Sequence, residues 1–234
     1  IDEKDMSETY VNKRNYSYRV RFKYAYKNRD GSVGYLESAW SNELSSMSES
    51  YLGESEWARP ELDKAAEYGL ITDRIRGNLS GDITRESFVE IAVRLYETCS
   101  GKAAETGDGN FTDTNSTQVS KALNLGLIDG AGGGKFYPDK IITRAQMAKI
   151  IYNSLNILIP ETDLSVNDSF KFSDDGCIER WARECVYFCS QASIINGYEV
   201  EDSREFRPNE NVSRQTAAIV CKRAYEYYRQ ALTA

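Results

Sequence analysis

Three copies of one pattern recur along this chain, and an internal repeat constrains the fold more tightly than composition does. The strings Ile83-Thr84-Arg85-Glu86, Ile142-Thr143-Arg144-Ala145-Gln146 and Val212-Ser213-Arg214-Gln215 each follow an apolar couplet: Leu70-Ile71, Leu127-Ile128 and Ile194-Ile195. A period of roughly fifty to seventy residues means one supersecondary unit used several times. Three matches in the same order also make a specific signal out of a string that is weak alone.

Each copy carries two helical patterns. In the first helix, Leu62, Val119 and Val186 correspond, as do Ala65, Ala122 and Cys189; their three-residue spacing puts them on one face. Gly69 and Gly126 suit left-handed C-terminal caps. A loop follows, with Phe136-Tyr137-Pro138 and Phe206-Arg207-Pro208 in two copies and a shorter loop through Asn78-Leu79-Ser80 in the other. Thr84, Thr143 and Ser213 then suit N-caps, their hydroxyls accepting from a free backbone N–H. The second helices show apolar offsets of 0, 3, 4, 7 and 8: Phe88 to Tyr96, Met147 to Leu155, Ala217 to Tyr225. One such pair cannot bury its apolar face alone. Three pairs closing around a shared core give one domain from about Tyr51 to Tyr228, linked through Gly101 to Gly109 and Ile159 to Ser169.

The 234 residues allow one large or two modest domains, and 41% hydrophobic residues suffice for a packed core. A formal net charge of -7 argues against nucleic acid as partner. No run approaches the roughly 20 apolar residues that span a bilayer. The chain opens on Ile1, not Met, and reads as part of a longer protein. It holds no histidine, which removes the commonest general base and metal ligand. Five cysteines, Cys99, Cys177, Cys185, Cys189 and Cys221, lack the spacing of a metal site and read as buried free thiols. No cofactor and no metal are expected. Asp174 and Asp175 are adjacent, whereas glycosidase carboxylates face each other across a cleft; no nucleophile with a base and an orienting partner is present, so the chain is expected to be no enzyme.

The first fifty residues differ. Tyr16, Tyr18, Val20, Phe22, Tyr24 and Tyr26 alternate with polar or small residues, the period of a half-buried strand. Asn28 to Ser32 is a hairpin turn by composition, with a second strand over Val33 to Trp40 and a linker from Ser45 to Ser55. An isolated hairpin is marginal in water, so further sheet strands are expected elsewhere in a longer chain. Tyr16-Ser17-Tyr18-Arg19-Val20-Arg21 and Trp40-Ser41-Asn42-Glu43 resemble the last two strands of a fibronectin type III domain, over about thirty residues. That resemblance implies a spacer or adhesion module; a generic hairpin extension is the alternative.

The repeats resemble the surface-layer homology family, whose unit runs Phe-x-Asp, Trp-Ala, Gly-Ile/Leu-Ile, Gly-Tyr, Phe-x-Pro, Thr-Arg-Ala-Glu. Here these are Phe111-Thr112-Asp113, Phe172-Ser173-Asp174, Trp57-Ala58, Trp181-Ala182, Gly197-Tyr198 and the three arginine strings. The match covers about three quarters of the chain. It implies a mainly α pseudo-threefold helical spindle over 47–230, with repeats at about 51–100, 111–158 and 170–228, preceded by the β-hairpin of 1–46. It also implies non-catalytic anchoring of surface proteins to secondary cell-wall polysaccharide, often pyruvylated, outside a bacterial cell. The copies depart from the pattern. Repeat one lacks Phe-x-Asp before Trp57, repeat two has Thr114 in place of Trp, and glutamate becomes Gln146 and Gln215.

A cation in the first helical turn opposes the macrodipole at about 0.3–1 kcal/mol, and Arg85, Arg144 and Arg214 all accept that placement. The unpaired N–H groups of a helix start attract anions, and a guanidinium adds bidentate recognition of a carboxylate. A pyruvyl ketal carries such a carboxylate. Alternatively, each arginine braces a repeat junction by bonding a neighbour's carbonyl or carboxylate, and both roles can coexist. Trp57 and Trp181 suit core or wedge positions better than ligand platforms; Asp113 and Asp174 either cap the following helix or accept from sugar hydroxyls. Gly132-Gly133-Gly134 reads as a loop tip, lacking the Lys-Ser/Thr of a phosphate cradle. The leading groove joins Arg144, Asp174 and Trp181, with Gly197 among the candidate ligand-binding residues. A second groove joins Arg85 and Asp113, and a third would join Arg214 to the repeat that holds Trp57. The partner expected is an anionic cell-wall polysaccharide, with no nucleic acid, no membrane insertion and possible self-association. A structural module of a surface lattice, or the anchor of an upstream enzyme, is the alternative.

Overall fold

A computed structural model describes residues 17–18, 21–39, 44–45, 51–109, 111–130, 132–167 and 170–233. The chain divides into two compact units, 1–51 and 52–234.

The first unit is built on two antiparallel ribbons. β2 (Lys23–Lys27) pairs with β3 (Val33–Glu37), Ala25 opposite Tyr35; β1 (Ser17–Tyr18) pairs with β4 (Leu44–Ser45). The turn closes where Asn28 N–H donates to Ser32 O at 2.8 Å and the Asp30 carboxylate accepts from Ser32 N–H at 2.9 Å, as the turn chemistry requires. Expectations that rested on Tyr16, Arg19, Val20, Trp40 to Glu43 and Ser46 to Ser50 lie outside the described residues. The strand face expected to be half-buried is open: Phe22, Tyr24 and Leu36 are exposed. With two strands to a ribbon, nothing among the described residues of the unit covers that face.

The second unit is mainly helical. It holds α1 (Arg59–Glu67), α2 (Arg85–Ser100), α3 (Thr117–Leu125), α4 (Arg144–Leu158), α5 (Arg183–Gln191) and α6 (Arg214–Ala231). A two-stranded ribbon, β5 (Tyr198–Val200) with β6 (Ser203–Glu205), lies between α5 and α6 and was not signalled by the sequence pattern. The long helices α2, α4 and α6 pack on one another through the residues that periodicity selects. Phe88, Ile91, Met147, Ile151, Ala217 and Cys221 are all without exposure. Each short helix packs on the long helix of the preceding copy: α3 on α2, α5 on α4, and α1 back onto α6. The chain thus closes on itself, and no pair stands alone.

The closure is written in backbone hydrogen bonds. Ile83 N–H donates to Val212 O (2.9 Å), Val212 N–H to Ile142 O (3.2 Å), and Ile142 N–H to Ile83 O (3.1 Å), a ring of three. Directly after it, Arg85 N–H donates to Lys140 O, Arg144 N–H to Glu210 O, and Arg214 N–H to Gly81 O. The next residues repeat the pattern, Glu86 to Pro138 O, Ala145 to Pro208 O and Gln215 to Leu79 O. Thr84, Thr143 and Ser213 cap the following amide in each helix. The first-turn N–H groups that a helix leaves orphaned are therefore taken by the neighbouring copy. This corrects the expectation of open amide donors beside the arginines.

Candidate functional site

Counting back eight residues from each arginine gives Phe136 from Arg144, Phe206 from Arg214 and Gly77 from Arg85. The loop of repeat one is thus short only ahead of Gly77, and it reaches its arginine in register with the others. This register decides what each guanidinium touches, because every arginine reaches into the loop of the next copy.

Arg144 is the most enclosed. Its Nε donates to Phe206 O and its Nη2 to Asn196 O, both at 2.8 Å, and its guanidinium lies 4.8 Å from the Tyr198 ring centre and 4.9 Å from that of Phe206. Burial draws it below its ordinary range, with Tyr198 and Glu210 opposing. Arg85 repeats half of this: Nε donates to Phe136 O at 2.9 Å, and the guanidinium sits 4.6 Å from the Phe136 ring centre. Burial lowers it too, against the field of Asp113. Arg214 faces the loop where Gly77 replaces phenylalanine. It reaches Asn78 O only at 3.5 Å, and its Nε is buried without a hydrogen-bond partner among the described residues. The bonds of Arg85 and Arg144 to Phe136 O and Phe206 O link neighbouring copies, a bracing role that can coexist with binding a ligand.

Asp113 and Asp174 do not cap the helices that follow. Asp113 accepts from Phe136 N–H (2.9 Å) and Tyr137 N–H (2.8 Å); Asp174 accepts from Phe206 N–H (2.8 Å) and Arg207 N–H (2.7 Å). Tyr137 and Arg207 hold left-handed backbone at φ 58° and 56°, costly for residues with a Cβ. Each carboxylate clamps that strained turn and so aims the phenylalanine carbonyl at an arginine. Backbone bonds hold the Asp113 carboxyl below the ordinary range. In repeat one the turn differs: Asn78, at the register of Tyr137 and Arg207, does not hold left-handed backbone, and Ser80 N–H further along the loop donates to Gly53 O. Gly197 lies under the same turn: a Cβ there would come within 2.7 Å of Phe172 and 2.8 Å of Glu205 O, while Gly130 meets Phe111 likewise at 2.9 Å.

Trp57 and Trp181, suited by sequence to the core, are exposed at 65% and 46%. An indole costs favourable burial when left in water, so two exposed at matching positions mark a surface of interest. Trp181 Nε1 donates to Glu179 Oε2 at 2.6 Å, which fixes the ring. Trp181 lines a cleft of about 450 Å³ with Arg85, Asp129, Gln146, Lys149 and Asn153. The structure thus brings Trp181 to Arg85, not to Arg144 as the sequence grouping had it. Arg144 and Asp174 do meet, through the Phe206 turn. Two cations, an exposed indole and two amides converge on the cleft, while Asp129 supplies the single carboxylate of its lining. Lys149 and Asn153 sit one turn apart on α4 and escaped sequence reasoning; their signal was a polar pair beside the apolar stripe of that helix.

Residues 110–148 and 171–218 match the S-layer homology domain family. The chain is 26% identical over 179 residues, 74% of its length, to the surface-layer 125 kDa protein of Lysinibacillus sphaericus, of which it spans 14%. It is 30% identical over 142 residues, 59% of its length, to an amylopullulanase of Thermoanaerobacterium thermosulfurigenes, of which it spans 7%. An endoglucanase of Bacillus sp. (strain KSM-635) is 33% identical over 118 residues, 47% of this chain and 12% of that protein. The chain therefore spans a small part of each relative, and the enzymes resemble it only there. These two segments are similar to a family whose domains anchor proteins to the bacterial cell surface, and together they cover less than half of the chain.

Proposed function

We propose that residues 47–230 form a non-catalytic module that attaches a larger surface protein to an acidic cell-wall polysaccharide, outside a bacterial cell. The observation that carries the reading is the cleft that Arg85, Lys149 and the exposed Trp181 line together. Guanidinium and ammonium suit a sugar-borne carboxylate such as a pyruvyl ketal, and the indole offers an apolar wall to the sugar ring. The net charge of -7 does not oppose this, because screening confines long-range repulsion to about 8–10 Å at physiological salt. Leu52 to Ser100 is read as a third copy of the unit in 111–158 and 170–228, because its hydrogen bonds close the same ring. Residues 1–46 are read as the last strands of a fibronectin-type sandwich.

The test is sedimentation of the protein with purified pyruvylated cell-wall polysaccharide. Lys149→Ala and Trp181→Ala, both at the surface of a fold that does not need them, should each lower bound protein at least fivefold. Unaltered co-sedimentation in both would remove the cleft from the account. The exposed apolar face of the β2–β3 ribbon favours a second reading, self-association of the chain. Light scattering without polysaccharide separates the two, since an anchor alone stays monomeric.

A further inference from the structure

Asn196-Gly197 is the one Asn-Gly pair in the sequence. It follows the Ile194-Ile195 couplet and leads into β5, so it holds the place of Asp129-Gly130 in the preceding copy. Packing fixes the glycine: a Cβ on Gly197 would strike Phe172, as one on Gly130 would strike Phe111. The asparagine side chain is not held in this way. Asn196 is exposed, and its side-chain amide has no hydrogen-bond partner among the described residues. The Gly197 N–H is likewise unpartnered among them. The carbonyl that joins the two residues is engaged by a cation, since Arg144 Nη2 donates to Asn196 O at 2.8 Å.

We propose that Asn196 is a site of spontaneous deamidation, promoted by Arg144, which turns a neutral neighbour of this arginine into an anionic one. The Gly197 nitrogen loses its proton to solvent hydroxide and attacks Cγ of Asn196. The new C–N bond closes a five-membered imide, and the side-chain nitrogen takes a proton from water and leaves as ammonia. Water then adds to one of the two imide carbonyls and opens the ring. Addition at Cγ gives aspartate; addition at the main-chain carbonyl gives isoaspartate. In sum one water is consumed and one ammonia released, with no change of oxidation state. Three features of the fold favour ring closure. The glycine has no Cβ to crowd the closing ring. Its N–H gives up no protein hydrogen bond. The charge left by deprotonation spreads onto Asn196 O, where the guanidinium already donates. The aspartate product suits the frame, because Asp129 stands at the corresponding place and lines a cleft with Arg85, the counterpart of Arg144.

The experiment incubates the whole chain in mildly alkaline buffer, both native and unfolded in guanidinium chloride, and follows every asparagine by peptide mapping and mass spectrometry. Asn196 should convert before any other asparagine of the native chain, with a matching release of ammonia. A donor in a water-excluded oxyanion site is worth about 10²–10³ in rate, and the bond to Asn196 O is only partly buried. Asn196 should therefore convert about tenfold faster in the native chain than in the unfolded one, where Arg144 no longer meets its carbonyl. Equal or slower conversion in the native chain overturns the proposal, as does an Asn196 that stays an amide while other asparagines convert. Asn196→Asp supplies the aspartate product directly and should melt within about 3 °C of wild type. A larger fall would mean that the frame rejects the product, and would overturn the proposal on that ground.

Discussion

Three arginines occupy one position in a threefold frame, yet their removal should cost three different amounts. Arg144→Ala deletes two short hydrogen bonds from a buried charged group, to Phe206 O and Asn196 O, and the contact with two rings. Bonds to charged groups contribute about 1.5–3 kcal/mol each. Removing the arginine also relieves the cost of burying its charge, which offsets part of that sum. A net loss of about 3 kcal/mol is expected, and at about 2–4 °C per kcal/mol in a domain of this size the melting temperature should fall by about 6–12 °C. Arg214→Ala deletes one bond at 3.5 Å from a partly open side chain, whose Nε is already unpartnered. Its loss should be about 0.5–1 kcal/mol, or about 1–4 °C. Arg85→Ala, with one short bond and one ring, should fall between them. Arg144→Lys keeps the charge but not the planar fork that reaches two carbonyls, and should recover less than half of the loss. Differential scanning calorimetry of the four variants gives the answer. If Arg144→Ala melts within 2 °C of wild type, or Arg214→Ala falls as far, the bracing role derived from these contacts is wrong.

Further outcomes follow from other contacts. Gly197→Ala should cost about 1–3 kcal/mol in urea unfolding, because its Cβ would press on Phe172 and the Glu205 carbonyl; Gly176→Ala, with open space around it, should be near neutral. The junction of α1 with α6 is tied by Lys222 to Glu61 (2.7 Å) and Glu226 (2.6 Å), and by Arg223 to Glu61 (2.7 Å). Burial pushes the Glu61 carboxyl up, but bonds from Arg223 and Lys222 outweigh it and leave the group below the ordinary range. Its contribution is therefore present above the unfolded value of 4.5 and lost as pH falls through the lower folded value. Glu61→Gln should flatten the acid limb of stability against pH, and an unchanged limb would exclude this junction as its source. Of the five thiols, Cys177 alone should react quickly with Ellman's reagent in the native protein. Cys185, Cys189 and Cys221 are buried, and burial raises Cys99 to about 12, so a second fast thiol would contradict the packing.

Local chemistry was legible and long-range pairing was not. Thr84, Thr143 and Ser213 cap their helices as their hydroxyls and positions demand, and Leu62, Val119 and Val186 are buried as their spacing requires. Gly69 and Gly126 hold φ of 70° and 77° at the ends of their helices. The partners of the arginines lie 51 and 62 residues away, beyond any local period. The count of eight from arginine back to Phe136, Phe206 or Gly77 was visible, but its meaning needed the ring of bonds that places each loop beside the preceding helix. Trp181 misled because a large apolar side chain is normally read as core, while exposure depends on what packs above it. The role of Asp113 and Asp174 was hidden for another reason: a carboxylate before a helix suits a cap, and only the left-handed Tyr137 and Arg207 reveal a turn that needs clamping.

The central claim is that an acidic sugar is held between Arg85, Lys149 and Trp181, and one titration addresses it directly. The intact chain is titrated with purified pyruvylated cell-wall polysaccharide, before and after mild acid has removed the ketals, while Trp181 fluorescence is recorded against a Trp181→Phe control. The account predicts saturable quenching with the native polymer, absent in the control and lost with the ketals. Equal binding of both polymers, or a signal that survives in Trp181→Phe, would contradict it.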